Sequence, residues 1–135
     1  MMIYAVYDTN ILVSALISKR PDTAVVVALE TLLSGEVTPL YNDEIIKEYQ
    51  EVLHRLKFHF PEALINGIIG HILKTGVLSD RVHTEETFPD PDDVVFYEVA
   101  LSKEDSFLVT GNTKHFPKTP IVVTPQEFLK RIGKI

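Results

Sequence analysis

The 135-residue chain has no cysteine. Disulfides, zinc–cysteine sites, iron–sulfur ligation and thiol catalysis are therefore excluded. It also lacks any apolar run near the roughly 18 residues that a membrane span requires. Basic residues are in deficit, with 13 Lys and Arg against 19 Asp and Glu and a net charge of −6. That balance argues against holding nucleic acid by a broad basic surface, but leaves room for an acidic centre with a local basic rim. The opening Met1-Met2-Ile3-Tyr4 has no basic n-region, so no signal peptide is expected and the cytoplasm is the default location. No repeat, linker or low-complexity tract interrupts the chain, and its five histidines lack the H-x3-H spacing of a zinc site. What is present is 45% hydrophobic and 24% charged. That composition can offset chain entropy, which rules out a wholly disordered chain and leaves one domain over 1–135.

Ile3 to Tyr7 is a nearly continuous apolar run ending at Asp8, the pattern of a strand buried on both faces. Asn10 is placed to cap a short helix through Leu16. Residues 23–33 read as a second helix closed by Gly35, and Val37 to Tyr41 as a second strand. From Asn42 to Lys57, Ile45, Tyr49, Val52, Leu53 and Leu56 fall on one stripe at the helical period. Pro61 to Lys74 is another helix, with Ala63, Leu64, Ile68, Ile69 and Leu73 apolar. Val77 to Val82 reads as a short strand, and Asp90-Pro91-Asp92-Asp93 opens a helix to about Ser102. Phe107 to Thr110 and Ile121 to Val123 are buried-type strands. Thr124-Pro125-Gln126-Glu127 is a capping box that starts the last helix. Alternating strands and helices imply an α/β fold, a three-layer α/β/α sandwich around a central parallel sheet. Ligands of such sheets gather beyond the carboxyl ends of the strands.

Asp8 sits at that edge, where a turn or cap role is the plain alternative. On the helix 42–57, Glu48 lies about 60° from Ile45 at about 100° per residue, on the border of the buried stripe. Glu44 and Glu51 turn further towards water. A half-buried acid costs free energy unless paired or metal-bound. Asp90, Asp92 and Asp93 surround a helix start, where one or two of them suit the dipole. Asn112 follows a strand end and could instead be a turn former. Oxygen donors from four distant elements at one sheet edge fit a Mg2+ or Mn2+ site, and the matching chemistry is phosphodiester hydrolysis.

Val6-Tyr7-Asp8-Thr9-Asn10-Ile11-Leu12-Val13-Ser14-Ala15, Glu44 through Leu53, Asp90-Pro91-Asp92-Asp93 and Leu108-Val109-Thr110-Gly111-Asn112 resemble the successive motifs of the PIN domain. The nearest branch is the toxin component of type II toxin–antitoxin systems, and the resemblance runs from Ile3 to about Leu129. It implies a Mg2+- or Mn2+-dependent ribonuclease with an antitoxin partner and an RNA substrate. Asp8 matches the first catalytic acid and Glu48 the second. The third falls in the Asp92-Asp93 pair, with Asp93 preferred. The fourth ligand position, often aspartate in the family, is Asn112 here, and an amide oxygen can ligate or hold a bound water. Thr9 and Asn10 are expected to orient Asp8, and Thr110 to do the same near Asn112. Lys114 and His115 are candidates for touching substrate phosphate.

Two other readings compete. One is a degenerate PIN domain that binds RNA or protein without cutting, kept open by Asn112. The other is a phosphoacceptor domain, which expects paired acids at the first strand rather than Asp8 alone. A homodimer is suggested by the family and by spare apolar residues on helices 23–33 and 61–74.

Overall fold

The structure, a computed structural model, describes residues 2–135. Met1, which opens the segment read for a signal peptide, lies outside them. The strands are β1 (Ile3–Tyr7), β2 (Val37–Tyr41), β3 (Val77–Leu78), β4 (Phe107–Val109) and β5 (Val122–Val123). They form one all-parallel sheet in the order β3-β2-β1-β4-β5. The helices are α1 (Thr9–Ile17), α2 (Ala24–Leu33), α3 (Asp43–Leu53), α4 (Glu62–Thr75), α5 (Val94–Ala100) and α6 (Pro125–Arg131).

Three successive residues of β1, Ala5, Val6 and Tyr7, are buried, and successive strand side chains point to opposite faces. Both faces of the central strand are therefore covered, which makes the α/β/α sandwich. Tyr7 meets Phe128 of α6 edge-on and donates its hydroxyl to the Ala28 carbonyl of α2. Tyr49 of α3 packs beside Phe96 of α5. Gly76 carries the chain from α4 into β3, where a Cβ would stand 2.5 Å from the Ile72 carbonyl and 2.7 Å from that of Pro39. Only glycine fits between those two backbones.

Several local expectations need correction. Asn10 does not cap α1; Asp8 holds the cap position and Asn10 lies in the first turn. The helix begun at Asn42 ends at Leu53 rather than Lys57, so Leu56 is exposed in a separate 3-10 turn, Leu56–Phe58. His59, in left-handed geometry, then turns the chain. On α4 the buried stripe is Ile65, Ile68, Ile69 and Ile72, whereas Ala63, Leu64 and Leu73 face out. Four isoleucines at helical spacing outcompete the leucines for the core. Beyond Leu78 the Ser79 amide still donates to the Tyr41 carbonyl, and the chain then turns onto α5, where the Val82 amide donates to the Glu98 carbonyl.

Candidate active site

The chain lays β2 and β3 on one side of β1, then crosses to lay β4 on the other. The carboxyl ends of β1 and β4 therefore form the switch point where an open α/β sheet has its crevice. Asp8 stands there, 6% exposed, its amide donating to the Val109 carbonyl at 2.9 Å. Thr110, one residue past β4, donates its hydroxyl to Asp8 Oδ2 at 2.7 Å. The same hydroxyl oxygen accepts the Asn112 amide at 3.0 Å. Thr110 thus holds both partners, where sequence reasoning had linked it to the Asn112 side only.

Glu48 arrives on α3. Asn42 Oδ1 accepts the Ile45 amide at 2.9 Å and starts the helix. The Tyr49 hydroxyl then donates to the Tyr7 carbonyl and pins the helix beside Asp8. Glu48, next to Tyr49, is half-buried at the crevice, and Thr9 Oγ1 lies 3.4 Å from its Oε2 as donor. Thr9 therefore reaches Glu48 by its side chain and the Asp8 carboxyl by its backbone amide, as the Asn10 amide also does. The exposed Asn10 lines the same crevice.

Asp90 Oδ1 accepts the Asp92 amide at 2.9 Å and caps the 3-10 turn Pro91–Asp93 that leads into α5. With that role filled by Asp90, the other two acids are free of it. Asp92 is exposed, while the Asp93 side chain is 17% exposed and points inward. Asp93 Oδ2 is buried without a hydrogen bond. His115 Nδ1 is 3.5 Å from it, an ion pair only when the imidazole is protonated.

Asp8, Glu48, Asp90, Asp92 and Asp93 line a cavity of about 240 Å³, with Arg55 and His115 on its wall. Asn112 does not line it, and Lys114 faces a separate groove with Lys118. Burial raises the Asp8 carboxyl above its usual range, against the Thr110 hydroxyl and the amides of Asn10 and Thr9. Burial, then Asp92 and Asp8, raises Glu48. Asp93 is pushed up to about 6 by burial and by the charges of Asp8 and Asp90. Three acids raised together mark a cluster whose charge Arg55 and His115 compensate only in part.

Among the described residues, no three acidic or imidazole side chains are drawn tightly enough to enclose an ion. Mg2+, however, keeps several waters and takes one or two carboxylates rather than a full protein cage. The Asp93 oxygen, without a hydrogen bond among the described residues, and the raised acids beside it fit such a loosely held divalent ion.

Arg55 escaped sequence reasoning, although a helix continued to Lys57 would bring it, seven residues after Glu48, within about 20° of the Glu48 face. Extending α3 to Lys57 hid the turn that carries it. Also missed was Arg81, whose Nε donates to Glu98 at 2.7 Å and whose Nη1 donates to Glu44 at 2.8 Å.

No helix of the described residues is long and apolar enough to cross a membrane. No curated protein and no solved structure matches the chain. A family profile described as PIN domain matches residues 4–114. Such domains are generally nucleases and typically use divalent metal ions. The matched span holds β1 from Tyr4 onward, α3 and the Asp90–Asp93 turn, so every acid of the cavity lies inside it, and the chain belongs to the PIN domain family.

Proposed function

We propose that the chain is a Mg2+- or Mn2+-dependent endoribonuclease, the toxin of a toxin–antitoxin pair working in the cytoplasm. The observation that carries the catalytic part is the Asp93 oxygen, buried without a hydrogen bond among the described residues in a cavity shared with Asp8 and Glu48. Asp8, Glu48 and Asp93 would hold the ion, with Asp92 at the exposed side. A divalent ion bound there supplies neutralisation of charge developing on the phosphate and acidification of water. Thr110 holds Asp8, and Thr9 holds Glu48, so two of the three acids are fixed by hydroxyl donors. His115, on the cavity wall, would meet a substrate phosphate, and Lys114 would act further out. Exposed Leu33, Leu64 and Leu73 support a homodimer or antitoxin contact on α2 and α4.

The test is cleavage of a labelled RNA in Mn2+. The reading expects cutting by wild type, none in chelator, and loss in Asp8→Asn with the fold retained by thermal melting. Equal activity in Asp8→Asn would end it. A PIN domain that binds RNA or protein without cutting is the second reading. The wide spacing of the acids favours it. It expects RNA binding but no Mn2+-dependent product.

A further inference from the structure

Where α3 ends, the chain makes a short projecting turn, Arg55 to Phe60, at the rim of the acidic cavity. Two features there are not accounted for by packing or by an ion pair. Leu56 is 87% exposed, the most exposed large apolar side chain among the described residues. Arg55 lines a cavity with five carboxylates yet forms an ion pair with none of them. Cationic and apolar side chains alternate along the turn: Arg55, Leu56, Lys57, Phe58. Phe58 and Phe60 stack with ring centroids 5.2 Å apart and planes 12° from parallel. Lys57 Nζ lies 5.2 Å from the Phe58 centroid. No acid falls between His54 and Pro61, in a chain whose net charge is −6.

Resting on the ribonuclease reading above, we propose that this turn is the platform for unpaired RNA, with Arg55 gripping a backbone phosphate beside the cleavage site and Leu56 with the Phe58–Phe60 pair receiving a base. A guanidinium presents a fork that matches phosphate oxygens and is weakly hydrated. Its place between acidic cavity and apolar turn sets the phosphate at the border of the two. Unpaired bases expose faces that pack on aromatic and apolar side chains, whereas a duplex keeps its bases stacked away. A protein partner would fit the apolar part alone. The lysine–arginine interleaving and continuity with the cavity favour the nucleic acid.

The probe is a short fluorescein-labelled single-stranded oligoribonucleotide, and the same strand annealed to its complement. Anisotropy is followed with Mn2+ at several KCl concentrations, in an Asp8→Asn background that holds RNA intact. Arg55→Gln should weaken single-strand binding about tenfold and lower the salt slope by about one. Leu56→Ser should weaken it severalfold with the slope unchanged, and the duplex should bind poorly throughout. Both side chains are exposed, so melting temperatures should stay at the parent value. Wild-type cleavage of the single strand tests the ribonuclease reading separately. If the variants lose affinity while wild type does not cut, the platform stands and the catalytic reading fails. Unchanged single-strand binding in both variants overturns the platform and leaves the turn as a surface for protein. Equal affinity for single strand and duplex overturns it as well.

Discussion

Thr110 donates its hydroxyl to Asp8 Oδ2 at 2.7 Å, joining residues 102 positions apart at the ends of adjacent strands. The bond favours the ionised carboxylate and partly offsets the upward push of burial. Thr110→Val keeps the shape and removes the donor. Metal-free stability at pH 7 should fall by about 1–2 kcal/mol, with the deficit shrinking as acid protonates Asp8. Thermal melts in chelator at pH 7 and pH 4 check this. An equal deficit at both values would mean that the lost bond to the Asn112 amide, not the carboxylate, sets the cost.

Asp93 titrates near 6 when folded, against an ordinary value of 3.8. Between those values the folded chain holds a proton that the unfolded chain has released, so stability falls as pH rises through the window. The penalty is absent below about 3.8 and complete above about 6. Its size is on the order of 1–3 kcal/mol, reduced by the solvent reaching the group. Asp93→Asn should therefore raise the metal-free melting temperature at pH 7.5 and leave it nearly unchanged at pH 3.5. Added Mn2+ should raise the wild-type melting temperature more than that of the variant.

Asp92 and Asp93 should separate in kinetics. Asp93→Asn removes the inward carboxylate and should cost at least about a hundredfold in Mn2+-dependent cleavage, by the scale of lost transition-state stabilisation in such sites. Asp92→Asn, exposed, should cost less. Parallel rates at saturating Mn2+ decide the ranking.

Asn112→Asp should change little without metal. The side chain lies outside the acid-lined cavity, and the contact that fixes the residue is its backbone amide on Thr110. A metal-free melting temperature shifted by more than a surface change of about 0.5 kcal/mol would place its side chain among the acids after all.

The buried run ending at Asp8, the β2 bounds and the Thr124–Glu127 capping box were all readable, because each is a local pattern with one physical solution. Glu48 was readable too, since its angle on a strongly amphipathic helix fixed its exposure. Leu56 was not: its spacing continued the stripe, while the chain had already left the helix at His54. The α4 stripe was misread because leucine and isoleucine weigh alike in a pattern, and only packing chose Ile65 and Ile72. Thr9 pairing with Glu48, and Thr110 with Asp8, join residues 39 and 102 apart, and no spacing rule reports such contacts.

The Arg81 guanidinium grips Glu44 near the start of α3 and Glu98 within α5, one group on two helices. Glu98 also accepts the Thr84 amide at 2.9 Å; burial presses its carboxyl up, but that amide and Arg81 bring it below the ordinary range. The first of these helices carries Glu48, and the second begins directly after Asp93. The two acids repel one another and would drift apart if their helices were free to do so. Arg81 acts as a brace beside the acids: it lines an adjoining cleft with Glu48 and Asp92 and ties the two helices without lining the acid cavity itself. The separation of the two carboxylates is thus built into the frame of the two helices.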